Sequence, residues 1–267
     1  MRRYVHRTVA LFALVAALIA LPGLCAQAAE IGVVILHGKG GMPNGLVKPL
    51  AAYLEGQGFR VANLEMPWSK TRTYGAPPAD GVAEIDQAFA TMKSAGVDKH
   101  FLIGHSLGGI FAAYYAGERP LTGVVLVAPG GDVASRFWQK KTADSRDKAE
   151  RLIAAGKGDE QDDFDDFEGS KGSFSIRTTA KLYLAWFSED SPLNQVRSYE
   201  RLPAGLPVLN VVPTDDYKGL LKVKDDRFRQ LPDTPFKEMY EPATDHKRAP
   251  ADAAEKIAAW VRKVAGN

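Results

Sequence analysis

Cysteine is almost missing. Cys25 is the only one in 267 residues, which excludes a fold stapled by disulfides. A charge excess of either sign is missing too. Lys and Arg number 34 against 32 Asp and Glu, so the chain lacks the basic surplus of a nucleic-acid binder. No long apolar run follows residue 21, so no second membrane span is expected. No internal repeat is present. What remains is a globular composition, 45% hydrophobic and 25% charged with Gly 25 and Pro 16. Its length suits one large α/β domain or two small ones.

The N-terminus reads as an export signal. Arg2, Arg3 and Arg7 precede 13 apolar residues at 9–21, which Pro22-Gly23 ends. Ala26-Gln27-Ala28 then offers the small-x-small pattern of a signal peptidase site. The run is short of the roughly 20 residues of a membrane span, so cleavage after Ala28 is expected, with a periplasmic or secreted product. Cys25 follows Pro22-Gly23-Leu24, which does not match the small-residue pattern of a lipoprotein site. Cleavage leaves 31 Lys+Arg against 32 Asp+Glu and no cysteine, a soluble chain with no stable membrane span.

Beyond the signal, short and mostly apolar runs without polar alternation recur at 31–36, 60–64, 101–103, 123–128 and 207–212, with a weaker one at 236–240. Such runs are what strands buried on both faces look like. Helix-length segments at 46–57, 82–94 and 107–117 alternate with them. Strand–helix alternation predicts an α/β domain over 29–267, a mainly parallel sheet of about six strands with helices on both faces. A last helix at 251–264 follows Pro250 and places Ile257, Trp260, Val261 and Val264 on one stripe. It is expected to close the sheet edge.

One stretch breaks the alternation. Residues 131–200, roughly, are expected to form an inserted, mainly helical lid over the carboxyl edge of the sheet. Within it, 159–168 carries seven acidic side chains. Its spacing lacks the Gly and terminal Glu of an EF-hand loop, so it reads as a solvated, mobile turn rather than a metal site. Phe137, Trp138, Phe164, Phe167, Tyr183, Trp186 and Phe187 serve either a core of the lid or an apolar pocket.

The decisive string is Gly104-His105-Ser106-Leu107-Gly108-Gly109, directly after a predicted strand and before a predicted helix. It satisfies G-x-S-x-G in the strand–turn–helix context that gives the motif meaning. The glycines leave room for a sharp turn that side chains there would block. On this motif the chain resembles the α/β-hydrolase superfamily, the lipase/esterase-type serine hydrolases, over nearly all of the mature chain except the lid.

The resemblance implies a nucleophile, an acid and a base in that chain order. Ser106 takes the first role. His246, in a polar loop between the last strand and the last helix, takes the third, as neutral imidazole can accept the serine proton and return it. The acid follows the strand at 207–212, where Asp215 and Asp216 compete. Asp216 is preferred because family members commonly place the carboxylate three positions after a strand-end glycine, here Pro213. The oxyanion hole is expected from backbone N–H groups of Leu107 and of Lys39, in His37-Gly38-Lys39-Gly40-Gly41, with Gly40 as the fallback. The Lys39 side chain reads as exposed and solvated. That glycine loop fits neither nucleotide fingerprint, since Pro43 stands where a dinucleotide motif needs Gly and Gly40 where a Walker loop needs Ser or Thr.

These readings converge on an exported serine hydrolase that cleaves a carboxylic ester or thioester through an acyl-enzyme. An amidase or peptidase, or an acyltransferase, would use the same residues. A catalytically silent binding protein of the cell envelope is the alternative from another class. No metal or organic cofactor is implied. The expected partner is a small-molecule acyl substrate, with no protein partner to be inferred.

Overall fold

The computed structural model describes residues 31–169 and 171–266. The expected signal at 1–28 lies outside them. Strands β1 (Ile31–Leu36), β2 (Arg60–Leu64), β3 (Lys99–His105) and β4 (Gly123–Val127) alternate with helices α1 (Lys48–Gly56), α2 (Pro78–Ser94) and α3 (Leu107–Glu118). After an insertion come β7 (Val208–Val211), α7 (Lys218–Gln230), β8 (Glu238–Tyr240), α8 (Ala249–Asp252) and α9 (Ala254–Ala265). Six strands pair in the order β2-β1-β3-β4-β7-β8, and every pairing is parallel. This is the α/β-hydrolase architecture expected, with a six-stranded mainly parallel sheet.

The pleat explains why the runs do not alternate between apolar and polar residues. Val33 and Ile35 of β1 join one core, with Leu50 and Leu54 of α1 and Ile257 and Val261 of α9. Val34 and Leu36 point the other way, into a core with Ile85 and Phe89 of α2 and Phe111 and Ala113 of α3. Successive residues face opposite sides, so a strand covered on both faces needs apolar residues at every position.

The last helix differs from its expected form. It breaks at Ala253 into α8 and α9 and lies over a sheet face, with the Trp260 ring edge-on to Phe101 of β3 at 6.2 Å. The short strand β8 holds the edge instead, paired to β7.

The insertion differs more. It holds α4 (Arg136–Ala154), an antiparallel hairpin of β5 (Gln161–Glu168) and β6 (Gly172–Thr179), α5 (Ala180–Phe187) and α6 (Gln195–Glu200). Helices still make up most of its regular structure, but the acidic run is not a mobile turn: most of it is strand β5. Phe164 and Asp166 of β5 are buried, and alternate residues face out. Cations pair the acidic side chains. Lys148 meets Asp162 at 2.7 Å, Lys181 meets Asp159 at 2.6 Å and Lys171 meets Glu168 at 2.9 Å. The aromatics of the insertion continue the sheet core. Trp186 packs at 5.7 Å from both Trp68 and Phe111, and Phe187 lies 4.7 Å from Tyr74.

Candidate active site

Ser106 sits between β3 and α3 with φ 55° and ψ −120°, a backbone conformation that side-chain-bearing residues rarely adopt. The turn holds because its flanks are bare. A Cβ on Gly104 would stand 2.0 Å from the Gly108 carbonyl oxygen, and one on Gly108 would stand 2.6 Å from that of His37. Contacts that short cannot form, so both positions require glycine. The Ser106 N–H donates to the Val127 carbonyl at 2.9 Å, which pins the turn to the neighbouring strand end.

Three side chains from three loops meet here. Ser106 Oγ lies 3.0 Å from His246 Nε2, and His246 Nδ1 lies 2.7 Å from Asp216 Oδ1. The Asp216 side chain is 1% exposed, and its Oδ1 also accepts from the Tyr217 N–H at 2.7 Å. Asp215 is exposed. Its backbone N–H donates to the Thr244 carbonyl at 3.1 Å, so the residue ties the acid loop to the histidine loop and leaves its carboxylate in solvent. Asp245 caps the histidine loop, accepting from the Lys247 and Arg248 N–H groups at 2.9 Å each. Those bonds hold its carboxyl below the usual carboxylate range.

His105 adds a contact that the sequence did not suggest. Its Nε2–H donates to the His246 carbonyl at 2.9 Å, which fixes the backbone beside the imidazole that faces Ser106. Burial, with the nearby His246 ring, lowers its pKa to about 3. It is therefore neutral at ordinary pH, and its buried Nδ1 has no hydrogen-bond partner among the described residues.

The glycine loop after β1 is fixed by His37. The His37 Nε2 accepts from the Met66 N–H at 3.0 Å, so its proton sits on Nδ1, which donates to the Gly38 carbonyl at 2.8 Å. Burial depresses the pKa of this ring as well. The Gly40 N–H donates to the Trp68 carbonyl at 2.9 Å, so its donor is already used and Gly40 is removed as the oxyanion fallback. The Lys39 and Leu107 N–H groups have no acceptor among the described residues. Leu107 opens α3, where the first amides lack intrahelical partners.

The Lys39 side chain is not solvated. Its Nζ lies 2.7 Å from both carboxylate oxygens of Asp166 and 3.2 Å from the Phe167 carbonyl oxygen. Side-chain exposure is 8% for Lys39 and 0% for Asp166. The Trp138 Nε1–H donates to the same carboxylate at 3.2 Å. The acidic run thus supplies the counter-ion of the glycine loop, a pairing 127 positions apart.

A cleft of about 1450 Å³ opens over Ser106 and His246, above the usual range of roughly 300–1,000 Å³ for small-molecule sites. Met42, Leu46, Phe137, Trp138 and Phe167 give it apolar walls. Among the described residues, no group of three or more His, Cys, Asp or Glu side chains is gathered to hold a metal ion. No helix among them is long and apolar enough to cross a membrane. A hydroxyl, an imidazole and a buried carboxylate in hydrogen-bonded series permit proton transfer from the hydroxyl to the ring, with the carboxylate steadying the resulting charge.

The family model described as "Alpha/beta hydrolase family" matches residues 33–260, and the chain belongs to that family. Among solved structures it is similar to DcsB in complex with its substrate analogue, at TM-score 0.70 and 15% identity over 90% of this chain and 92% of that one. The monoacylglycerol lipase of Paleococcus ferrophilus matches at TM-score 0.61 and 21% identity over 87% and 94%. The proline iminopeptidase of Mycobacterium smegmatis matches at 0.54 and 17% over 90% and 94%. No curated protein sequence matches. The protein is an α/β hydrolase, and its neighbours cut more than one kind of bond, so the fold does not choose the bond.

Proposed function

We propose that this protein is an exported serine hydrolase that cleaves a carboxylic ester or thioester through an acyl-enzyme. The observation that carries the reading is the series Ser106 Oγ, His246 Nε2, His246 Nδ1 and Asp216 Oδ1, with spacings of 3.0 Å and 2.7 Å at its two hydrogen bonds. Ser106 Oγ attacks the acyl carbon while its proton passes to His246 Nε2. The C–O or C–S bond to the leaving group then breaks, and the same proton goes to that group. Water repeats the sequence on the acyl-enzyme, releasing the acid and restoring Ser106. Asp216 accepts from Nδ1–H, which keeps the ring in the tautomer that can receive a proton on Nε2. The free amides of Leu107 and Lys39 receive the developing oxyanion.

An active-site fluorophosphonate probe tests the serine. Labelling of the wild type but not of Ser106→Ala is the expected result. No labelling of folded wild type would favour a binding protein of the cell envelope instead. Export rests on the Arg2/Arg3/Arg7 segment, the apolar run and Ala26-Gln27-Ala28. Protein isolated from the envelope is expected to begin at Ala29, and an intact N-terminus would remove that part of the proposal. Matched acyl esters, thioesters and amides then decide the bond, with the ester or thioester expected to react fastest.

A further inference from the structure

Charge is distributed unevenly in this molecule. Beyond residue 30 the chain is balanced, with 31 Lys+Arg and 31 Asp+Glu. The cleft over Ser106 is not: seven basic side chains line it against two acidic ones. Both acids are paired, Asp132 with Arg227 at 3.2 Å and Glu168 with Lys171 at 2.9 Å. Two further cations are satisfied by carboxylates, Lys39 by Asp166 and Arg248 by Asp245. Lys70, Lys218 and Lys247 remain. All three are exposed, and no carboxylate among the described residues pairs with them. They come from separate elements: the segment after β2, the start of α7, and the loop next to His246.

The apolar side of the cleft is equally uneven. Four large hydrophobic side chains are exposed in the described residues, and two of them, Leu46 at 50% and Phe137 at 58%, line this cleft. Exposed apolar surface in a concave site points to a ligand that covers it. A concave wall with a surplus of one charge focuses the field and raises the local concentration of the opposite ion. The two features together describe a ligand with an apolar chain and an anionic end.

We propose that the cleft takes an amphiphilic anion: an acyl ester or thioester whose chain lies against Leu46 and Phe137 and whose phosphate or carboxylate is met by Lys70, Lys218 and Lys247. The inference names the substrate class of the proposed hydrolase and rests on that reading for the word acyl. The anion preference itself does not require turnover. It is therefore read by binding.

The full chain is titrated calorimetrically at low ionic strength with hexyl phosphate, heptanoate and 1-hexanol. An anion is expected to bind at least about tenfold more tightly than the neutral alcohol. The advantage should shrink steeply at about 0.5 M salt, where screening is shorter than the cleft is wide. It should also fall towards unity in Lys70→Gln/Lys218→Gln/Lys247→Gln. A preference for hexyl phosphate over heptanoate assigns a phosphate-bearing substrate, and equal affinity assigns a carboxylate. Equal binding of the alcohol and both anions overturns the inference. So does an advantage that neither salt nor the triple substitution reduces. Fluorophosphonate labelling of the same preparation separates the two proposals. Labelled protein without anion preference loses this inference alone, whereas anion preference in unlabelled protein keeps the anionic cleft and loses the hydrolase.

Discussion

At the carboxyl edge of the sheet, Ser106, Asp216 and His246 each follow a strand closely, and backbone hydrogen bonds between adjacent loops set their separation. In the insertion, Asp166 reaches its partner Lys39 across 127 positions of chain, through a hairpin packed on aromatics of the sheet core. On the edge each loop is placed by the strand it follows, although the loops that meet there lie 30 and 140 positions apart. The insertion is organised by side chains that meet only after the chain has folded. Both regions end at the same cleft, so chemistry on one side depends on tertiary packing on the other.

The largest expected effect lies on the sheet edge. Asp216→Asn should lower turnover by about 10⁴ through loss of the productive tautomer, measured as kcat on any ester the wild type cleaves. Asp215→Asn should cost less than about tenfold, because its carboxylate is exposed and a surface change typically shifts stability by under about 0.5 kcal/mol. The reverse result would move the acid to Asp215 and break the claim that loop backbone decides which aspartate faces His246.

The insertion is broken at its buried pair. Lys39→Met leaves a wholly buried Asp166 carboxylate without its counter-ion, and Asp166→Leu leaves a nearly buried ammonium. Either should destabilise the protein by about 3–5 kcal/mol, whereas the double substitution should recover much of that loss, since a packed apolar pair can replace a buried ion pair. Urea unfolding of the four proteins checks this. Single substitutions costing under about 1 kcal/mol would mean that the pair is solvated in solution and that the insertion is only loosely joined to the glycine loop.

These two regions also explain what was legible before folding. The steric reason for Gly104 lies at Gly108 and that for Gly108 at the distant His37 carbonyl, but both glycines flank Ser106 in one contiguous string, so the elbow could be read from that string. The strands of the six-stranded sheet were legible because coverage on both faces favours apolar residues on successive positions. The acidic run was misread as a solvated turn because seven charges in ten hide a period of two. Phe164 and Asp166 face inward, and across the hairpin Ile176 and Thr178 do too. The alternation of Phe174, Ile176 and Thr178 between Gly172 and α5 was the available signal. Nothing local signalled that Asp166 would be the buried member, or that Lys39 would meet it. The His105 contact was equally hidden, since the motif leaves that position free and only the fold brings it to the His246 carbonyl.

His105 gives the smallest of these effects and a way to place the pH sensitivity of the fold on the sheet edge. Its folded pKa is about 3, against about 6.5 for an unfolded histidine. Above pH 6.5 the ring is neutral in both states, and the native state loses nothing by burying it. Below that value the unfolded chain takes up a proton that the native ring refuses, so stability falls as pH drops from about 6.5 to about 3. At pH 5.5 the loss is about 1.4 kcal/mol. His37 is depressed in the same direction by its own burial and adds to the slope. Urea unfolding at pH 7.5 and 5.5 should therefore show His105→Gln losing about 1.4 kcal/mol less than the wild type between the two pH values, whatever its stability at pH 7.5. An identical loss in both proteins would mean that His105 is protonated inside the fold, which would require an acceptor for its Nδ1–H that the buried edge does not supply.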